Sequence, residues 1–174
     1  LVAAARRLLV DDGFNAITVD AVAREAGAYR DAVRYYFGDK AGLIAAVVDS
    51  LAHDQSLGSS RETQDLPPGR SRLHALLVAD RRLTEDSASF KDFFHILPYV
   101  LQDEDLRRRV ALLYDWYRDL YIRCFAHQSR RCACDLKQAA SLMVAVIDGL
   151  AVQKALDPDG VDLERLFELW ERLL

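Results

Sequence analysis

Cysteine, proline and glycine are all scarce in this chain: three cysteines, four prolines and eight glycines in 174 residues. The cysteines are Cys124, Cys132 and Cys134. An odd number, with two of them two positions apart, excludes a disulfide framework and points to a reducing, cytoplasmic compartment. With few breakers and no long alternation of β-branched residues, a sandwich or barrel is excluded and an all-helical fold is expected. No uninterrupted apolar run reaches membrane-spanning length and no charged-then-apolar leader opens the chain, so no membrane partner is expected. A Gly-rich phosphate loop, a G-x-S-x-G elbow and an H-E-x-x-H helix are missing too, so the expectation is no enzyme and no cofactor. His127, Cys132 and Cys134 lie close together but lack zinc spacing, and no second ligand cluster follows, so no metal site is expected. An excess of base is also lacking. The net charge is −4, which argues against a generic nucleic-acid binder.

What is there is an apolar period of 3.6 residues, on a background of 51% hydrophobic and 29% charged residues. The pattern predicts helices over residues 1–12, 18–27, 29–37 and 39–54. Gly13, Gly27 and Gly38 stand at the stops, and Thr18 and Asp39 stand at cap positions. Residues 56–71, rich in Ser, Gly and Asp and closing on Pro67-Pro68-Gly69, predict a loop. Further helices are predicted at about 70–84, 87–101, 103–128, 136–156 and 162–174, with Pro98 kinking or ending the second of these. A polar break falls at 129–135. The expected architecture is about nine helices in two parts: a three-helix unit at 1–45 and a larger bundle at 46–174.

Three short helices with a tight Gly turn between the second and third make a helix-turn-helix unit. On pattern alone any small bundle offers as much. The residues sharpen it. The run Thr18-Val19-Asp20-Ala21-Val22-Ala23-Arg24-Glu25-Ala26-Gly27, followed by Val33-Arg34-Tyr35-Tyr36-Phe37-Gly38-Asp39-Lys40, resembles the TetR family signature. Gly13-Phe14 lies upstream and Leu43 downstream at the family spacing. The resemblance is specific over residues 1–50 and architectural beyond them. It implies a ligand-responsive DNA-binding regulator, most simply a repressor released from a palindromic double-stranded operator by a small molecule. The alternative is a helical small-molecule-binding protein of the same fold that reads DNA weakly or no longer.

By spacing, Val33 and Phe37 face the core, and Arg30, Arg34 and Tyr35 fall on exposed arcs. The resemblance implies that Thr18 and Lys40 touch phosphates and that Tyr35 and Tyr36 pack on the sugar-phosphate backbone. For Tyr36 and Phe37 a simple core position competes. Arg30 is the candidate for a base edge, because a guanidinium pairs two-toothed with guanine. Tyr29 joins this set at the place where the family has a small capping residue. Asp31, Arg34 and Gly42 also depart from the family pattern. Between Ala28 and Lys40 the bases Arg30, Arg34 and Lys40 outnumber the acids Asp31 and Asp39. A dimer doubles the phosphate contacts, so the acidic balance is tolerable.

In the larger part, aromatics at helical spacing read first as core. TetR-like bodies hold an effector among such helices, and pockets of that kind are mostly apolar with a few placed polar groups. Phe94, His95, Tyr117, Tyr121 and Cys124 are the candidate ligand contacts, for a partly apolar small molecule. The last helix carries Leu163, Leu166, Phe167, Trp170, Leu173 and Leu174 on one stripe, and the helix before it is apolar on nearly all sides. Val146, Leu150, Leu166, Phe167 and Trp170 are therefore expected at a homodimer interface.

Overall fold

The computed structural model describes residues 1–85, 87–125 and 136–174. Nine α-helices and one 3-10 turn occupy these residues, and the described residues contain no strand. The predicted polar break, the end of the 103–128 helix and the His127, Cys132 and Cys134 group lie outside the described residues.

The chain begins with α1 (Val2–Asp12), the 3-10 turn Phe14–Ala16, α2 (Val19–Glu25), α3 (Arg30–Phe37) and α4 (Lys40–Thr63). Thr18 caps α2 as its residue type suggests: its hydroxyl oxygen accepts from the Ala21 N–H at 3.1 Å. Asp39 does the same for α4, its Oδ1 accepting from the Gly42 N–H at 3.0 Å. The turn from α2 to α3 passes through Gly27 at φ 61°, a conformation that costs a glycine little. Leu9, Ile17, Val22, Val33, Leu43 and Val47 are fully buried and join α1 to α4 in one core.

The predicted loop at 56–71 is corrected on its N-terminal side, because α4 runs on to Thr63. A glycine inside a helix costs only about 1 kcal/mol, so Gly58 and its serine neighbours weaken the helix without stopping it. The stop comes from Pro67-Pro68 and from Gly69 at φ 135°. Thr63, at the last helical position, is buried.

The remaining helices are α5 (Arg70–Glu85), α6 (Ser87–Val100), α7 (Glu104–Phe125), α8 (Leu136–Leu156) and α9 (Leu163–Leu173). Pro98 lies inside α6, which ends two residues later. Asp103 caps α7 through the Leu106 N–H, and Asp162 caps α9 through the Arg165 N–H.

The helices gather into two compact units. Residues 1–54 with 91–111 form one, and residues 55–90 with 112–174 form the other. The first unit thus contains more than the three-helix head. In it Phe14 stacks on Tyr99 of α6 with ring centroids 3.3 Å apart. Arg109 of α7 pairs with Asp49 of α4 at 2.6 Å, and Arg6 of α1 pairs with Asp92 of α6 at 3.5 Å. In the second unit α5 packs against both α8 and α9. Among the described residues α8 is the one helix long and apolar enough to cross a membrane. Its apolar run is not continuous, because Asp148 interrupts it. That carboxylate accepts a hydrogen bond from Tyr114 at 2.8 Å, and one face of the helix is buried in the unit.

Candidate nucleic-acid interface

The third helix projects a row of side chains that lie outside the core. Tyr29 is 88% exposed, Tyr35 84% and Tyr36 69%, and Arg30, Asp31 and Arg34 are exposed beside them. Only Val33 of α3 is fully buried, with Phe37 half-buried behind it. Val33 and Phe37 therefore face the core as their spacing implies, and Tyr36 takes no core position. Tyr35 and Tyr36 meet edge to face at 5.3 Å, which fixes two aromatic rings side by side at the surface.

The framework under this row follows from local chemistry. Tyr29 occupies the cap position of α3 and offers no side-chain cap. Gly42, an unexpected residue in the first turn of α4, has a steric cause: a Cβ there would run into the carbonyl oxygen of Phe37. The two helices approach too closely for any side chain at that point. Lys40 begins α4 half-buried, with its ammonium 4.8 Å from the centre of the Phe14 ring. Thr18 is exposed at the start of α2.

One participant was not legible in the sequence. Asp20, in the first turn of α2, lies 2.9 Å from Nε of Arg30 through its Oδ1. The candidate base reader is therefore already held by a carboxylate from the neighbouring helix.

The candidate ligand contacts divide between the two units. Phe94 (half-buried) and His95 (exposed) belong to the first. Tyr117 (half-buried), Tyr121 (buried) and Cys124 (buried) belong to the second. Desolvation raises the Cys124 thiol to about 11, so it is neutral near pH 7. Tyr121 donates to Asp80 of α5, a fully buried carboxylate that sequence reasoning passed over. A signal existed: Leu73, Leu76, Asp80 and Thr84 recur at helical spacing, which puts Asp80 on the buried stripe of α5.

Of the expected interface residues, Val146 is exposed, while Leu166 and Trp170 are half-buried. Leu150 and Phe167 are instead buried within the chain. Phe167 sits beside Leu77 and Val78 of α5, on the side of α9 that packs inward. The apolar surface left uncovered includes Leu142, Val146 and Leu156 of α8 and Leu169 and Leu173 of α9.

Comparison with known proteins places this geometry. Residues 1–47 match the family model for bacterial regulatory proteins of the tetR family. Residues 68–174 match the model for the C-terminal part of BetI-type transcriptional repressors. The HTH-type transcriptional regulator BetI 1 of Chromohalobacter salexigens is 27% identical over 176 residues, covering 97% of this chain and 84% of that protein. The HTH-type transcriptional regulator TtgR of Pseudomonas putida is 28% identical over 180 residues, covering 98% of this chain and 85% of that protein. A transcriptional regulator from Pseudomonas aeruginosa PAO1 has a solved structure that superposes with a TM-score of 0.88 at 21% identity, over 98% of this chain and 85% of its own.

Proposed function

The chain belongs to the TetR family of bacterial regulators, with a BetI-type C-terminal region, and we propose that it is a homodimeric repressor released from a palindromic operator by a small, partly apolar molecule. The observation that carries this reading is the exposed row Tyr29, Arg30, Arg34, Tyr35 and Tyr36 on a capped helix-turn-helix. Three tyrosines left largely in water bury little area in the fold. They suit the sugar-phosphate backbone at the rim of a major groove, with Arg30 inside it. Thr18 and Lys40, at the starts of α2 and α4, supply phosphate contacts on either side.

The reading head acts as residues 1–45, with the remainder holding the effector and the partner. In the second protomer the uncovered apolar row of α8 and α9 finds its complement. Val146, Leu166 and Trp170 meet the partner together with Leu142, Leu156 and Leu173. Leu150 and Phe167 support that surface from beneath. An exposed apolar row on a helix of membrane-like composition is what a two-fold helical interface requires. Gly149 fits this use: nothing lies within 4 Å of a Cβ placed there, so a crossing helix has room to approach.

Effector binding among α5, α7 and α8 draws on Tyr117, Tyr121 and Cys124 for its polar contacts. Its effect reaches the head by way of α4, which the Arg109–Asp49 pair ties to α7. The operator fixes the spacing of two recognition helices about one or more turns of B-DNA apart, so a ligand that favours another spacing lowers DNA affinity. DNA then weakens ligand binding by the same factor. A bacterial regulator of this kind works in the cytoplasm.

The test is fluorescence anisotropy of the purified chain on double-stranded DNA at low salt, followed by titration with a panel of partly apolar small molecules. The reading expects duplex binding and at least one compound that releases the DNA while the dimer persists. Absence of duplex binding at low salt contradicts it.

A further inference from the structure

The Asp20–Arg30 contact is an acid placed where a DNA-binding surface should carry none. Asp20 lies in the first turn of α2 and Arg30 opens α3, so the pair spans the turn of the helix-turn-helix. Both side chains are more than half exposed, at 62% for Asp20 and 53% for Arg30. An ion pair so open to water contributes little to stability, which leaves its place on the reading surface to be explained.

The geometry supplies the explanation. Oδ1 of Asp20 meets Arg30 at Nε, 2.9 Å away. An ion pair made on the Nε side of the guanidinium leaves the terminal edge, Nη1 with Nη2, turned away from the carboxylate and open to hydrogen-bond a base. That terminal edge can pair with O6 and N7 of guanine. The backbone of Asp20 has a defined place. It sits at the positive end of α2, in the turn that Thr18 caps. A long side chain that would otherwise sample many rotamers is thus biased toward one direction before DNA arrives, and part of the ordering cost is removed from the binding step.

We propose that Asp20 is a positioning residue for Arg30: it holds Nε so that the terminal edge of the guanidinium reads a guanine in each half-site. This rests on the DNA-reading function proposed above.

The experiment uses the full chain and the duplex it most enriches from a random-sequence pool. Affinity is measured for that duplex, for the same duplex with each half-site guanine replaced in turn by 7-deazaguanine, which lacks the N7 acceptor, and for an unrelated duplex. Wild type is expected to lose about tenfold at one guanine per half-site. Arg30→Ala abolishes that loss. Asp20→Asn reduces it to about twofold at the same guanine, while the lost negative charge raises affinity for the selected and the unrelated duplex by a common factor. In discrimination the double variant behaves as Arg30→Ala alone. Binding of the unrelated duplex shows that each variant is folded.

The proposal is overturned if Asp20→Asn changes affinity for all duplexes by one factor and keeps full discrimination, or if its effect on discrimination persists without Arg30. A wild type that enriches no duplex contradicts the DNA-reading function itself, an outcome separate from these.

Discussion

Tyr121 donates its phenolic hydrogen to one oxygen of Asp80, and the other oxygen of that carboxylate, Oδ1, has no hydrogen-bond partner among the described residues. The group is wholly buried on α5. Burial without compensation favours the neutral acid. Desolvation raises Asp80 from 3.8 to about 7, against the opposing effect of the Tyr121 hydrogen bond.

That burial has a consequence for stability. Between about pH 4 and about pH 7 the folded chain keeps a proton on Asp80 that the unfolded chain has lost. Stability attributable to this group is therefore greatest below that window and falls as pH rises through it, by up to about 1.4 kcal/mol per pH unit. Asp80→Asn should remove this slope. Urea melts of both proteins from pH 4.5 to pH 8 check it: the stability difference between them shifts toward the variant as pH rises. A difference that does not change with pH contradicts the assignment.

Gly42 should not tolerate alanine. In a helix interior alanine ordinarily gains about 1 kcal/mol over glycine. Here the new methyl meets the Phe37 carbonyl oxygen, a backbone atom that cannot turn aside. Displacing backbone costs about 1–3 kcal/mol, so Gly42→Ala is expected to lower the melting temperature and to weaken DNA binding as α3 shifts. Thermal unfolding followed by circular dichroism reads the first effect directly.

The uncovered face of α8 and the buried face of α9 should respond differently. Leu142 is 70% exposed and Phe167 only 5%. Leu142→Glu is expected to leave the subunit folded and shift the assembly to monomer in sedimentation. Phe167→Ala empties a packed site and should cost about 3–5 kcal/mol of stability. Sedimentation and unfolding on both variants separate interface from core.

In the proposed reading Lys40 supplies charge without base information. Lys40→Ala should weaken binding to all duplexes by a similar factor and reduce the slope of log K against log salt by about one for each phosphate no longer neutralised. Arg30→Ala should instead relax base preference. Equal behaviour of the two variants would contradict the division of roles.

The sequence disclosed the head well because its signals are local. Gly13, Gly27 and Gly38 mark turns at positive φ, and Thr18 and Asp39 cap the helices that follow them. It disclosed the body less well, because those features depend on tertiary placement. Gly58 and its serine neighbours resemble a loop, yet no proline stands between Lys40 and Thr63, the bounds of α4. Periodicity identifies an apolar stripe on α9 but not which of its residues packs on α5, so Phe167 and Leu173 are equivalent by spacing alone. The Asp20–Arg30 pair joins two helices across a turn, and no spacing rule predicts which carboxylate an arginine will find.

The central claim is that two copies of the helix-turn-helix read duplex DNA together, and a random-duplex selection with the purified chain at low salt tests it most directly. The account predicts enrichment of a palindrome whose half-sites lie about one helical turn, or a multiple of it, apart, with a guanine in each half-site that Arg30→Ala no longer selects. A pool that remains random after selection, or a winner without two-fold symmetry, would contradict it.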